Sequence, residues 1–321
     1  MKETFKRLTD LMKESEEIIF MTHRNMDLDG FGAALGLYEV ALSLNKKPYI
    51  FINKTKNHKS IDKAFDLLKK ENINYIFRSN YQEVIKNNTL LIVLDIHRKD
   101  IVEYPKLIDK CERIAIIDHH VKGFNCIKNT TFSFIDENYS STNEIIANYL
   151  SEIETKINPL TATIMLSGIA IDTNDFNLNT TAGTYEAAAY LTKMGADSSI
   201  KQELLKESKD EFVRRQEFIR DSIMINDQTS MCLLDDNVYD KEDLATLAEE
   251  LLQFDGVKAS FAVGKIDKSI VGVSARSIGN INVEKIMAKL GGGGHTNEAA
   301  AQIKTSSINK VKKKILEIIG D

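Results

Sequence analysis

Residues 113–120 read RIAIIDHH and carry the strongest indication of the fold. An apolar run ends here in one carboxylate and two imidazoles, those of Asp118, His119 and His120. A strand that is apolar along its whole length is typical of a parallel sheet covered on both faces, and such sheets bind ligands beyond the carboxyl ends of their strands. The stretch therefore predicts a buried strand that delivers polar side chains to a site.

Two other segments repeat this pattern. Residues 17–22, EIIFMT, lead into His23, Asp27 and Asp29, and residues 90–94, LLIVL, lead into Asp95. Because parallel strands end at the same edge of a sheet, we expect the three strand ends to form one acidic edge that carries histidines.

Alternating strands and helices surround these three segments. Apolar periodicity before residue 113 predicts helices at 3–15, 30–44 and 61–70 and further strands at 48–52 and 75–77. This alternation indicates an α/β fold, with a mainly parallel five-stranded sheet flanked by helices in the first domain. Helices dominate after residue 140, and we predict them at 141–150, 161–171, 184–194, 200–206 and 211–225.

The remainder predicts a smaller α+β domain, with strands at 230–234, 258–265 and 269–275 and helices at 241–253 and 283–290. Four glycines, Gly291, Gly292, Gly293 and Gly294, follow the last of these helices and precede His295 and a further short helix. We place the domains at 1–195 and 213–321, joined by a linker at 196–212.

Composition limits the classes of protein that this chain can represent. At 321 residues, with 43% hydrophobic and 28% charged residues, it is long enough for two domains. A net charge of -5 without a long basic run argues against a protein that wraps long nucleic acid, but it is compatible with a short nucleotide as ligand. Three cysteines without metal-binding spacing indicate a reducing compartment, the cytoplasm. No window approaches the roughly 20 apolar residues of a membrane span, so we expect no membrane insertion.

The loop after the first strand contains the pattern His23-x-x-x-Asp27-x-Asp29, whose nitrogen and oxygen ligands suit a divalent metal. By itself, the pattern is equally consistent with an N-cap aspartate and a surface histidine. The other polar residues at predicted element ends make coincidence a poor explanation, and they are Asp95, Asp118, His119, His120 and Asp172.

The charges of this group favour two metal ions. Asp27, Asp29, Asp95 and Asp172 bring four negative charges to one place, where they would repel each other and any phosphate. Two divalent ions roughly 3.5–4 Å apart acidify a bridging water and stabilise both oxygens of an in-line displacement. Phosphoester hydrolysis is the chemistry that this group of residues predicts.

The glycine run predicts a phosphate contact, because glycine N–H groups are unshielded and admit close approach, especially where a helix follows. A flexible turn is the structural alternative, although a turn rarely needs four glycines. Arg276, at a predicted strand end, offers a bidentate phosphate contact, and a solvated arginine is the equally ordinary interpretation.

These motifs, in this order and over nearly the whole chain, resemble the DHH/DHHA1 phosphoesterase family. Within it, residues 93–99 (VLDIHRK), 274–277 (SARS) and 281–291 are most similar to the catalytic module of GdpP-type cyclic-di-AMP phosphodiesterases. The resemblance implies a DHH catalytic domain at 1–195 and a DHHA1 substrate-binding domain at 213–321. It further implies hydrolysis of cyclic-di-AMP to 5′-pApA by a hydroxide that bridges two metal ions.

The resemblance also implies roles for single residues. One Mn²⁺ would be held by His23, Asp27 and Asp95, and the other by Asp29, Asp95, His119 and Asp172, with Mg²⁺ or Co²⁺ as substitutes. Asp118 would act behind these ligands, and His120 would bind the scissile phosphate or protonate the leaving oxygen. Arg276, Gly291 to Gly294 and His295 would hold the rest of the dinucleotide, which places the site between the domains. Family members often form homodimers.

Two departures from the family pattern remove no ligand. Met26 stands where proline is common, and Gly30 replaces another small residue. GdpP-type proteins usually carry membrane helices, a PAS domain and a degenerate GGDEF domain ahead of this module. We therefore expect an excised module of a longer, membrane-anchored protein or a stand-alone enzyme.

Several alternatives share the metal ligands. An NrnA-like nanoRNase and 3′-phosphoadenosine 5′-phosphate phosphatase, acting on short oligoribonucleotides, is the nearest. A RecJ-like exonuclease fits the acidic balance poorly, and a family pyrophosphatase would lack the glycine run. A nucleotide sensor without activity is the alternative from another class, and the loss of a ligand would favour it.

Overall fold

The computed structural model describes residues 2–53, 59–123 and 125–320. The chain divides into two compact units, Met1–Lys206 and Glu207–Asp321. Regular structure occupies much of the segment 196–212, where we predicted a linker: helix α9 (Ser198–Leu205) lies within it and helix α10 (Lys209–Arg220) begins there. Among the described helices, none has both the length and the apolar character that a membrane crossing requires.

The first unit is built on a parallel sheet of six strands in the order β3-β2-β1-β4-β5-β6. Its strands are β1 (Glu17–Met21), β2 (Lys47–Phe51), β3 (Tyr75–Ile76), β4 (Leu90–Leu94), β5 (Arg113–Asp118) and β6 (Phe132–Ile135). We predicted five of these strands from the sequence, and β6 was not among them. That edge strand has only four residues, FSFI, and Ser133 interrupts its apolar residues, so it lacks the uninterrupted apolar run that marks β4 and β5.

Helices cover this sheet, and their bounds are α1 (Lys2–Glu14), α2 (Leu28–Ser43), α3 (Lys59–Leu68), α4 (Tyr81–Val84), α5 (Pro105–Ile108), α6 (Thr142–Glu152), α7 (Pro159–Asp172) and α8 (Ala182–Lys193). Alternate side chains of each central strand enter two different cores. Ile18 and Phe20 of β1 pack with helix α2, whereas Ile19 and Met21 pack with Leu107 of α5. Burial on both faces is the reason that the central strands are apolar throughout.

The strand order places the site. The chain runs outward from β1 to β3 and then returns to β4 on the other side of β1. The segments that leave the carboxyl ends of β1 and β4 therefore diverge, and the crevice between them is where open α/β sheets bind ligands.

Close packing of α2 against α7 brings further residues to this crevice. A Cβ atom added at Gly168 of α7 would lie 2.6 Å from the Leu28 carbonyl oxygen and 2.2 Å from Asn143 Nδ2. Only glycine lets the two helices approach this closely. The contact sets the carboxyl end of α7, where Asp172 lies, beside the amino end of α2.

The second unit contains a mixed sheet of six strands in the order β11-β12-β10-β9-β8-β7. Its strands are β7 (Ile223–Asn226), β8 (Thr229–Val238), β9 (Ala259–Asp267), β10 (Ile270–Ser277), β11 (Gly293–Gly294) and β12 (Glu298–Lys304). Its helices after α10 are α11 (Lys241–Leu251), α12 (Val283–Lys289) and α13 (Ile308–Gly320). Helix α11 packs on one face of the sheet, and α12 and α13 pack on the other.

Two predictions for this unit were wrong. The helix predicted at 211–225 ends at Arg220, and residues 223–226 form strand β7 instead. The short helix predicted after the glycine run is strand β12, which pairs with β10 and β11. Residues 298–304 (EAAAQIK) are mostly helix-forming types, but the hydrogen bonds of the two neighbouring strands override that local preference.

Candidate metal centre

The loop after β1 places an imidazole beside a carboxylate. His23 Nε2 lies 3.4 Å from Asp27 Oδ2. The other carboxylate oxygen, Asp27 Oδ1, accepts hydrogen bonds from the backbone N–H groups of Asp29 and Gly30, both at 3.0 Å. Asp27 is therefore the N-cap of α2 and a member of the acidic cluster at once, so the two interpretations of this loop are compatible.

Asp29 is buried in the first turn of α2 and is held by the start of another helix. Its carboxylate accepts hydrogen bonds from the backbone N–H groups of Thr142 at 2.7 Å and Asn143 at 2.8 Å. These donors open helix α6, where the positive end of the helix dipole favours an anion. We assigned these two residues no role from the sequence. The capping-box spacing of Ser141 and Glu144 was the signal that a helix begins there.

Asp95 follows β4 and lies between two histidines. Its Oδ2 is 3.3 Å from His23 Nε2, and its Oδ1 is 3.4 Å from His119 Nε2. The Thr142 hydroxyl also donates to Oδ1 at 3.1 Å. The backbone of Asp95 has a φ of 60°, a left-handed conformation that aspartate and asparagine adopt more readily than most residues.

His119 leaves the end of β5 and faces carboxylates from three other segments. Its Nε2 is 3.4 Å from Asp172 Oδ2, 3.4 Å from Asp95 Oδ1 and 3.9 Å from Asp29 Oδ2. Asp172 is the last residue of α7, so the packing of α7 on α2 brings it here.

The donor atoms fall into overlapping groups whose members lie within 4.8 Å of one another. The groups are His23, Asp27 and Asp95; Asp29, His119 and Asp172; and Asp95, His119 and His120. Asp95 takes part in two of them and is 3.4 Å from His119 of the third. Carboxylate oxygens and imidazole nitrogens at this spacing fit divalent ions, and the donor set matches their chemistry.

Opposite charges in this cluster stabilise protonated histidines when no cation is bound. Burial opposes a charge on His23, but its contacts with Asp27 and Asp95 outweigh burial and raise its pKa to about 11. Burial likewise opposes a charge on His119, and Asp95 raises its pKa to about 9. The two imidazoles therefore carry protons at neutral pH in the absence of metal.

The carboxylates divide into two kinds. Burial, together with neighbouring carboxylates, raises the pKa of Asp29 and of Asp172. Burial also acts against the charge of Asp95, but hydrogen bonds from His119 and His23 hold its pKa well below the usual range. The metal-free site thus balances its charge with bound protons, and divalent cations would replace them.

Asp118 is fully buried and joins two other histidines. One of its oxygens is hydrogen-bonded to His97 Nδ1. The other accepts from the His120 backbone N–H at 3.1 Å and lies 2.8 Å from His120 Nδ1. His120 is 54% exposed, which leaves its ring accessible to a ligand. His97 lay within the motif VLDIHRK but had no role in the sequence analysis.

The second unit aligns its predicted substrate-binding residues at one end of its sheet. Arg276 of β10 pairs with Glu298 of β12, and Gly294 pairs with Ala299 one position further. The backbone N–H of His295 donates to the Glu298 carbonyl oxygen at 2.6 Å. The Arg276 guanidinium is anchored, because its Nε donates to the carboxylate of Glu249 at 3.1 Å.

The four positions of the glycine run, 291–294, differ in what requires a glycine there. Gly291 has a φ of +81°, which favours glycine. A Cβ added at Gly292 or Gly294 would lie within 2.4 Å of a backbone oxygen of β12. Gly293 has neither constraint: its φ is ordinary, and a Cβ there would meet nothing within 4 Å in the part of the chain that the structure describes. Of the four, Gly293 is the position where packing leaves the absence of a side chain unexplained.

Comparison with known proteins identifies two family domains in this chain. Residues 17–169 match the model of the DHH family, N-terminal domain, and residues 228–321 match that of the DHHA1 domain. The cyclic-di-AMP phosphodiesterase GdpP of Bacillus subtilis is 34% identical over 98% of this chain, which spans about half (49%) of that relative.

Two further matches cover nearly the whole of both partners. The bifunctional oligoribonuclease and PAP phosphatase NrnA of Mycoplasma genitalium is 26% identical over 97% of this chain and 94% of its own length. The crystal structure of an exopolyphosphatase-related protein from Bacteroides fragilis superimposes with a TM-score of 0.81 at 18% identity, covering 99% of this chain and 96% of that one. The two matched domains and the likeness to GdpP show that the chain belongs to the DHH/DHHA1 phosphoesterase family.

Proposed function

We propose that this chain is a manganese-dependent phosphodiesterase that hydrolyses cyclic-di-AMP to linear 5′-pApA. The observation that carries the proposal is the convergence of His23, Asp95 and His119, with their neighbouring carboxylates, on one crevice of the sheet. The relatives named cyclic-di-AMP phosphodiesterases, which match over almost the whole chain, support the choice of substrate.

The donor groups suggest two ion positions. His23, Asp27 and Asp95 would hold one ion, and Asp29, Asp95, His119 and Asp172 would hold the other, so that Asp95 serves both. Two divalent ions supply water activation and neutralise the charge of a phosphoryl group during displacement. Imidazole ligands at each position favour manganese over the harder magnesium ion.

His120 is suited to protonate the leaving oxygen. Burial acts against its charge, but Asp118 and then Asp95 raise its pKa, which favours the protonated ring that a proton donor requires. Asp118 accepts from Nδ1 and leaves Nε2 as the free nitrogen of an exposed ring. Proton donation from Nε2 to the departing 3′ oxygen would leave the phosphate on the 5′ side, and this gives 5′-pApA.

We assign capture of the rest of the dinucleotide to the aligned end of the second sheet. Arg276 would contact the second phosphate, and the unshielded backbone at Gly293 and the ring of His295 would lie against it. The linear product lacks the preorganisation of the ring and is captured more weakly, so its further hydrolysis to AMP should be slower.

An NrnA-like activity on short oligoribonucleotides and 3′-phosphoadenosine 5′-phosphate is the second candidate. The similarity of 97% of this chain to the bifunctional oligoribonuclease and PAP phosphatase NrnA of Mycoplasma genitalium supports it.

The two candidates are separated by a time course of products, resolved by chromatography, from cyclic-di-AMP, pApA, 3′-phosphoadenosine 5′-phosphate and a short oligoribonucleotide with Mn²⁺. The proposal expects pApA to accumulate early from cyclic-di-AMP. Faster cleavage of pApA than of the cyclic dinucleotide, or AMP without accumulated pApA, would instead establish the NrnA-like activity.

A further inference from the structure

We propose that His97 is a positioning residue that acts through Asp118 to fix the orientation and the tautomer of His120. The proposal rests on the role given to His120 above, but its geometry can be tested separately.

His97 is hydrogen-bonded to both ends of the segment 118–123, which carries His119 and His120. Its Nδ1 is hydrogen-bonded to Asp118, and its Nε2 accepts a hydrogen bond from the Gly123 backbone N–H at 3.2 Å. His119 and His120 lie between these two attachment points. The imidazole of His97 therefore links the first and last residues of the loop 118–123.

The position of His97 is itself fixed. Only 2% of its side chain is exposed, and its backbone carbonyl accepts from the Ile127 N–H at 2.8 Å. The next residue, Arg98, forms an antiparallel bridge with Cys126. The segment 97–98 after β4 and the segment 126–127 are therefore held together by backbone pairing.

The hydrogen bonds define which nitrogen of His97 carries a proton. A backbone N–H can only donate, so Nε2 of His97 must be the unprotonated nitrogen that accepts from Gly123. The ring proton therefore resides on Nδ1 and is donated to Asp118. With that donor in place, one oxygen of Asp118 is occupied, and the other is directed to the ring of His120.

The arrangement transmits an orientation to the exposed ring. Asp118, fully buried, accepts a hydrogen bond from Nδ1–H of His120, so Nε2 is the nitrogen that faces a ligand and can give up its proton. Loss of the His97 donor would free the Asp118 carboxylate to turn, and His120 would no longer be held to one tautomer. Residues behind a reactive imidazole typically act in this way, by fixing its tautomer and direction.

Two substitutions of similar polarity separate the two contacts of His97. In His97→Asn the side-chain amide replaces Nδ1 and keeps a donor for Asp118, whereas in His97→Gln it replaces Nε2 and keeps only the contact with Gly123. We expect kcat for cyclic-di-AMP to fall by less than about threefold in His97→Asn and by about 10–100-fold in His97→Gln, with KM and bound manganese unchanged. Equal losses in the two variants, or the reverse order, would overturn the proposal.

A double-mutant cycle tests whether the effect passes through His120. In a His120→Gln background, His97→Gln should cost less than about threefold more, because the residue it positions is already gone. Losses that multiply in full would show that His97 acts elsewhere.

A spectroscopic measurement distinguishes failure of this inference from failure of the proposed function. The ¹⁵N chemical shifts of His120 in the Mg²⁺-loaded protein, recorded at a pH high enough for the ring to be neutral, report which ring nitrogen keeps its proton. They should show an Nδ1-bound proton in the unsubstituted protein and in His97→Asn, and a mixture in His97→Gln. If they do so while His120→Gln retains near-normal kcat, the positioning is correct and the proposed role of His120 is not. Unchanged shifts in His97→Gln would overturn the positioning itself.

Discussion

Replacement of Asp95 by asparagine should abolish both ion positions while leaving the fold intact. The two oxygens of Asp95 face different histidines, His23 at 3.3 Å and His119 at 3.4 Å. Asparagine is the appropriate substitution, because residue 95 has a φ of 60° and alanine there would add about 1–2 kcal/mol of backbone strain. The amide also keeps an oxygen to accept from the Thr142 hydroxyl.

The expected loss of activity follows from the position of this carboxylate. Asp95 is one of the ligands proposed for each ion, so one substitution weakens both. Metal ions typically contribute several kcal/mol of transition-state stabilisation, and a loss of about 4 kcal/mol corresponds to about a 10³-fold lower kcat. Asp27→Asn is the matched control, because Asp27 belongs to one donor group only and asparagine is an equally good N-cap.

Metal content and activity should be measured on the same samples. After incubation with Mn²⁺ and gel filtration, we expect elemental analysis to find bound manganese nearly absent in Asp95→Asn and reduced by about half in Asp27→Asn. Thermal unfolding of both variants without metal should remain cooperative. If Asp95→Asn retains full manganese, or a kcat within about tenfold of normal, Asp95 does not serve two ions.

Three other predictions concern metal affinity, substrate capture and helix packing. The pKa of His23 is raised to about 11 and that of His119 to about 9, so Mn²⁺ must displace their protons and its affinity should rise as the pH increases toward about 9. Calorimetry in buffers of different ionisation enthalpy should detect the release of protons. A Mn²⁺ affinity that falls as the pH rises would contradict this reasoning. Arg276→Ala and Gly293→Ala should raise KM more than they lower kcat, because both residues are proposed to bind the substrate equally well in the ground state and in the transition state. A collapse of kcat at saturating substrate would instead place Arg276 in the chemical step. Gly168→Ala should lower the free energy of unfolding by about 1–3 kcal/mol, because its Cβ would meet the Leu28 carbonyl oxygen. Gly123→Ala is the control and should change the free energy of unfolding little, because its Cβ would enter open space among the described atoms. Equal midpoints of urea unfolding for the two variants would refute the packing argument.

The central strands, and the residue types that follow them, could be predicted from local sequence. Strands β4 and β5 were predicted at nearly their observed bounds, because burial on both sheet faces requires an uninterrupted apolar run, and that run is visible locally. The polar residues at the strand ends followed from the parallel arrangement. Periodicity also located helices α2, α7 and α8 to within two residues at most bounds.

Local pattern failed where pairing partners decide the conformation. Residues 223–226 and 298–304 lie in strands because neighbouring strands offer them hydrogen bonds, although their sequence suggested helix. Edge strand β6 was missed for a different reason: it is only four residues long, and Ser133 interrupts its apolar residues, so the local apolar signal is too short.

The surroundings of each residue in the site depend on long-range packing and could not be predicted from the sequence. Asp29 is held by backbone donors 113 and 114 positions away, and the carboxylate of Asp118 is shared by His97 and His120. Asp172 reaches His119 because a glycine lets α7 approach α2. Such contacts depend on which distant segments pack together, and the periodicity of a segment records only that one of its faces is buried, not which residues bury it.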